Sequence, residues 1–363
     1  MQWIDILKDN IVSFEELSKK LPDIKEREQE YKDIIDKYPL SITRYCLSLI
    51  DSTDVNDPIR KMNVPSLDEA LMVGEADTSG ENDNTVLPGL QHKYKQSALM
   101  LSNNYCATYC RYCFRKRMVG LDDGETLRNL DKAFDYIRNH KEINNVIISG
   151  GDSLLNNNDV IIKYLDNLSN IDHLNFIRFG TKTPVTLPQR INQDKQLLDI
   201  FQSYGRKKRI YVVTQFNHIK ELTPEALKAV DSLRKVDVIV KNQSVLMRGV
   251  NDKSEVLSAL LQRLTEVGIV PYYVFQCRPV KGVKSQFQIP LKEGCKIVEE
   301  AKGMQNGQAK CFKYVMSTRQ GKIEILGQIA DDEMLFKFHE AKDERRNGEI
   351  FTKKIDDNVY WVD

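Results

Sequence analysis

The sequence predicts an α/β fold: a parallel sheet curled into an open, partial barrel, with helices before it and antiparallel strands after it. Three observations carry this. Apolar, β-branched runs recur every ~28 to 48 residues with helix-like stretches between them, the alternation of βα units. The units number six, fewer than the eight of a closed barrel, although their order alone also admits a doubly wound sheet. Beyond about residue 290 the pattern changes to strands joined by short polar turns. The expected divisions are a helical region with linker (1–95), a partial barrel (96–290) and an α/β extension (291–363).

Residues 1 to about 60 read as helical scaffold. Apolar positions recur at helical spacing in WIDILKDNIVSFEELSKKL, and Ser13 with Glu16 forms a capping-box pattern. The polar, breaker-rich 74–90 reads as a linker or covering loop. The barrel strands are SALMLS (97–102), NVIISG (145–150), FIRFG (176–180), RIYVVT (209–214), DVIVKN (237–242) and VPYYVF (270–275). After a helix at GCKIVEEAK, the runs CFKYVMS, GKIEILG and EMLFKFH read as antiparallel strands.

Composition excludes several classes. Of 363 residues, 41% are hydrophobic and 29% charged, too apolar for a disordered chain. A net charge of +1 gives no global pull towards nucleic acid or an anionic membrane. No apolar run approaches the ~18 residues of a membrane span, and MQWIDILKDN lacks a signal-peptide pattern, so the cytoplasm is expected. Seven cysteines, an odd number, argue against a disulfide framework.

Three of those cysteines form Cys106-x-x-x-Cys110-x-x-Cys113, directly after the first barrel strand. Three thiolates on one loop can hold three irons of a [4Fe–4S] cube and leave the fourth iron open. Zinc and chance are the competing readings, and a structural zinc wants four protein ligands. The loop falls at the C-terminal end of its strand, the catalytic face of βα barrels. The next strand ends in Gly150-Gly151-Asp152, two glycines that allow close backbone approach and a carboxylate suited to an amine. Amides follow at later strand ends, Gln215 and Gln243 among them.

CATYCRYCFRKRMVG (106–120) resembles the radical SAM superfamily and, within it, lysine 2,3-aminomutase and its relatives. Further matching segments are DPIRKMNVPS, LPGLQHKY, ISGGDSLL, TPVTLPQR, TQFNH, NQSVLMRGVND and PYYVFQC, together spanning about residues 40–280. The resemblance implies a partial (β/α)6 barrel, a [4Fe–4S] cluster on Cys106, Cys110 and Cys113, and S-adenosylmethionine at the open iron. It implies reductive cleavage to a 5′-deoxyadenosyl radical, with an electron donor such as flavodoxin or ferredoxin. Gly150, Gly151, Asp152 and Gln243 match SAM-contacting positions, Gln215 stands where the aminomutases have histidine, and Arg115 matches the arginine holding the amino-acid carboxylate.

The chain departs from that family at its second cofactor. The pyridoxal phosphate (PLP) loop falls on Ser317–Lys322, where Lys322 survives but three of four glycines are gone, and Ser97 replaces the phosphate-holding arginine. Lys322 reads as a Schiff-base former, a substrate contact or a solvated turn residue. The two aspartates that hold the lysine ammonium fall on Arg278 and Val315, reversing the charge facing the substrate. Lys253 and the 336–363 tail replace the zinc-binding cysteines, so the family's mode of oligomerisation does not carry over and a homodimer stays open. Cys46, Cys277, Cys295 and Cys311 read as packing thiols. The expectation is a radical SAM enzyme without PLP, acting on a small anionic or amino-acid-like substrate. The alternatives are a PLP-dependent aminomutase not specific for lysine, and a tRNA- or protein-modifying enzyme contacting RNA through Arg115–Arg117 or Arg206–Arg209.

Overall fold

A computed structural model describes residues 3–121 and 124–363. Twelve strands form one sheet in chain order. The hairpin β1 (Thr85–Leu87) and β2 (Leu90–Tyr94) runs antiparallel onto β3 (Ser97–Asn103). From β3 the sheet is parallel through β4 (Asn145–Gly150), β5 (Phe176–Gly180), β6 (Arg209–Thr214), β7 (Ile239–Leu246) and β8 (Val270–Gln276). These are the six predicted barrel strands. The next strand, β9 (Lys313–Ser317), is antiparallel to β10 (Gly321–Ala330), as expected, and also parallel to β8, so it joins the two halves of the sheet. β11 (Glu333–Ala341) and β12 (Ile350–Lys354) complete the antiparallel extension. Among the described residues no pairing closes β12 onto β1, so the barrel is open.

Helices Leu130–Asn139, Asn158–Ser169, Lys195–Gly205, Pro224–Lys235 and Ser254–Glu266 connect the parallel strands. Each of the first four starts at a side-chain cap: Asn129, Asn157, Asp194 and Thr223 accept from the backbone N–H three residues on. Strand alternation then sorts the residues. Val146, Ile148, Ile177, Phe179, Ile210 and Val212 face the helices, where Phe134, Leu165, Phe201 and Leu233 bury them. Residues in the alternate positions, such as Ser149 and Gln243, face the barrel interior and its C-terminal mouth.

The N-terminal helices have their own core around Ile11, Leu17, Leu21 and Ile42. Ser13 caps Phe14–Lys20 as predicted, while Glu16 reaches back to the N–H of Val12 at 3.5 Å. Part of the predicted linker is strand: β1 is three residues long and turns at Gly89 with φ +78°. A run that short carries no readable period. Cys46, Cys277 and Cys295 are buried packing thiols, but Cys311 is exposed, with its Sγ on the Gly307 carbonyl at 3.1 Å. No helix among the described residues is long and apolar enough to cross a membrane.

Candidate active site

The loop after β3 is held on two sides. On one, Gly151 N donates to Asn103 O at 2.7 Å and Asp152 N to Tyr105 O at 2.9 Å. A Cβ on Gly150 would lie 2.2 Å from Asn103 O, and one on Gly151 2.2 Å from Tyr105 O. The two glycines therefore let the end of β4 close against the cysteine loop, a need internal to the protein. On the other side, buried Glu69 receives both Nε (2.8 Å) and Nη2 (2.5 Å) of Arg111, and Lys116 Nζ at 2.7 Å. This triad fastens the cysteine loop to the N-terminal region.

The loop opens on a cavity of about 270 Å³ at the C-terminal mouth of the barrel. Cys106, Cys110 and Cys113 line it, as do Gly150, Gly151 and Asp152. Gln215, Gln243, Arg115 and Arg278 complete the predicted set on its wall, and Lys322 is not on it. Burial pushes the Cys106 thiol well up, and Asp152 and the other two thiols add to the push. Cys113 rises to about 11, from burial first and then Cys110. Thiolates crowded in this way coexist only beside a compensating cation. Among the described residues no three His, Cys, Asp or Glu side chains converge as a single metal ion requires. A cube needs no such convergence, because each thiolate takes a different iron.

The Asp152 carboxylate is largely occupied within the protein. Its Oδ1 accepts from Thr181 Oγ1 (2.5 Å) and Leu154 N (3.0 Å), and its Oδ2 from Lys182 N (2.8 Å). Burial raises its pKa against these bonds. A carboxylate has about four acceptor sites, so about one is left for a ligand amine.

Two arginines share the Phe114 ring, with Arg115 4.6 Å and Arg278 4.0 Å from its centroid. Their charges are not balanced alike. Arg115 is ion-paired to Glu81 (Nη2–Oε1 2.9 Å), and its Nη1 donates to Ser149 Oγ at 3.3 Å. Glu81 also takes Arg117 at 2.7 Å. Arg278 has one bond to Ser79 Oγ at 2.9 Å and forms none of the observed ion pairs, and burial pushes it down to about 10. Of the two, Arg278 is the one without a direct ion pair among the described residues, with Glu81 and Asp77 acting on it from further away. Ser79 and Glu81 both lie on the covering segment, where sequence reasoning saw only a loop. The Arg115–Arg117 run faces inward, buried or paired, and offers no RNA-binding surface.

Lys322 is a strand residue of β10, neither a solvated turn nor a cavity wall. Its Nζ is ion-paired to Glu340 at 2.7 Å and lies 5.1 Å from the ring centroids of both Tyr94 and Tyr273. The amine is held by Glu340 and the two rings rather than presented to the cavity. At the position of the missing phosphate arginine, Ser97 bonds Asn145 inside the barrel at 3.3 Å. Ser97 and Lys322 are each engaged within the protein, and neither lines the cysteine cavity.

Comparison with known proteins gives the class first. Residues 100–260 match the radical SAM superfamily, which implies SAM and a [4Fe–4S] cluster, so this is a radical SAM enzyme. A protein of Aquifex aeolicus named for L-lysine 2,3-aminomutase is 38% identical over 340 residues, 93% of this chain and 90% of that one. L-lysine 2,3-aminomutase of Clostridium subterminale is 36% identical, covering 84% of this chain and 73% of its own. Glutamate 2,3-aminomutase of Clostridioides difficile is 33% identical over 87% and 74%. Among solved structures, AdoMet-bound anSMEcpe aligns at 12% identity over 56% of each chain with a TM-score of 0.44. The chain belongs to the lysine 2,3-aminomutase-like family of radical SAM rearrangement enzymes, which act on small molecules and draw on an electron donor.

Proposed function

We propose that the protein cleaves SAM reductively and abstracts hydrogen from a small, anionic, amino-acid-like substrate without PLP. The observation that carries this is one cavity walled by three cysteines and by the guanidinium of Arg278, which makes no direct ion pair among the described residues. Cys106, Cys110 and Cys113 would hold three irons, and Asp152 with Gly150, Gly151, Gln215 and Gln243 would receive SAM. Together, when bound, cluster and SAM supply the electron and the carbon radical that removes hydrogen. The chain's own part is to orient and to exclude water. Arg278 holds the substrate anion, Arg115 is fixed by Glu81, and both guanidiniums lie against the Phe114 ring. A free ammonium at Arg278 would be repelled, which argues against L-lysine as substrate. A flavodoxin- or ferredoxin-type donor supplies the electron.

A second reading, a PLP-dependent amino shift on an amino acid other than lysine, is favoured by the similarity to named lysine and glutamate aminomutases. One experiment separates the two. Anaerobically reconstituted protein is titrated with PLP, with Lys322→Ala as control, and 5′-deoxyadenosine is measured under reduction. SAM cleavage with no Lys322-dependent absorbance band supports the PLP-free reading. A Lys322-dependent band restores the aminomutase, and no SAM cleavage refutes both.

A further inference from the structure

A second ionic group stands on the cavity wall, apart from the arginines. Lys182 follows β5, and its Nζ is 2.8 Å from Glu221 Oε1 and 2.9 Å from the hydroxyl of Tyr112. Glu221 is 2% exposed and Lys182 10%. Tyr112 sits between two of the cysteines, Cys110 and Cys113. Its hydroxyl also accepts from Asn217 Nδ2 at 2.7 Å and donates to Gln215 Oε1 at 3.0 Å. Glu221 in turn holds the backbone N–H groups of Asn217 and His218. The cysteine loop is thereby tied to the ends of β5 and β6 through a buried ion pair. Lys182 and Cys110 line the same cavity.

We infer that Lys182 and Glu221 are a positioning pair for the iron–sulfur cluster: they fix the loop through Tyr112 and set the cluster's reduction potential through Cys110. Cluster potentials respond to nearby charge, hydrogen bonding and solvent access. A buried ammonium on the wall of the cavity that would hold the cluster favours its reduced, more negative state, and Glu221 moderates it. Removing the cation shifts the midpoint down, and removing the carboxylate shifts it up. The inference rests on Cys110 being an iron ligand, as proposed above.

The test is an EPR-monitored redox titration of anaerobically reconstituted protein without SAM or substrate, so that neither ligand binding nor turnover enters. Lys182→Met is expected to lower the reduced-to-oxidised ratio at fixed potential about tenfold, equivalent to 59 mV for one electron. Glu221→Gln is expected to shift the midpoint the opposite way, and Lys182→Arg to stay near the parent. Should Lys182→Met fail to fold, the upward shift in Glu221→Gln with Lys182→Arg unmoved is the deciding pair. Unchanged midpoints at full iron content, or shifts of the same sign in Lys182→Met and Glu221→Gln, overturn the inference. Cys110→Ala is measured alongside. Its loss of the cluster upholds the ligand assignment independently of the midpoints, and retention of an unaltered cluster overturns both.

Discussion

Replacing Glu69 with glutamine should unfasten the cysteine loop. The native carboxylate is fully buried and bridges Arg111, held by two hydrogen bonds, and Lys116 at 2.7 Å. Its second tie is the Ser66 N–H at 2.9 Å, which glutamine can keep. The variant therefore retains shape and one cap bond and loses the charge. Two buried cations are left facing each other, and breaking a buried pair by removing one partner costs about 3–5 kcal/mol. No solvent discount applies, because both cations are at most 5% exposed. Lys116 already shows the stress, since burial and Arg111 push it down to about 8 despite Glu69. Against a typical unfolding free energy of about 5–15 kcal/mol, the loss is a large fraction. Urea denaturation of the anaerobic protein measures it, and iron content after reconstitution should fall in parallel, because Arg111 lies between two of the cysteines. Adding Lys116→Met should recover part of the stability by removing one uncompensated charge. A loss below about 1 kcal/mol, as for an exposed pair, would refute the reasoning.

Other outcomes follow from the same geometry. Arg278→Gln should weaken binding of an anionic substrate by about 1.5–3 kcal/mol, roughly 10- to 150-fold in KM, with Arg278→Lys recovering part of it; an unchanged KM removes Arg278 from the site. Gly151→Ala places a Cβ 2.2 Å from Tyr105 O, so the loop must move; iron uptake should drop, and a variant with full iron would contradict the packing argument. Stability should rise with pH from about 7 to about 8.5, above which the buried thiols of Cys113, Cys277 and Cys295, whose pKa values burial raises, oppose the trend. Lys93 is pushed down to about 7 and Lys116 to about 8, each by burial first, so between these values and the unfolded lysine pKa of about 10.4 the unfolded chain binds more protons. Each group contributes at most about 1.4 kcal/mol per pH unit, and Lys93→Met should flatten the lower part of the slope in urea midpoints at pH 7, 8 and 9.

Much of the architecture is local in origin and was legible in the chain. The six parallel strands announce themselves because a strand buried between helices must be apolar and β-branched over five to seven residues, as in NVIISG and RIYVVT. The cysteine loop is equally plain, since its three cysteines share eight residues and a strand end. The hairpin at 85–94 was not legible: its first strand is too short to show a period, and it exists because β2 finds the free edge of β3.

The charge pattern of the site belongs to tertiary structure alone. In sequence Arg115 and Arg278 are two cations of equal standing, and only the fold brings Glu81, 34 residues before Arg115, onto one of them and a serine onto the other. The same holds for Glu69 under Arg111 and for Glu221 beside Lys182. Lys322, in register with a cofactor lysine, was assigned elsewhere by the β10–β11 pairing that sets it opposite Glu340. Sequence spacing determines what neighbouring residues can do together, through the periods of helix and strand. Which buried charge meets which partner is decided by long-range pairing, because the Coulomb and desolvation terms depend on final separation and burial, and neither is a function of distance along the chain.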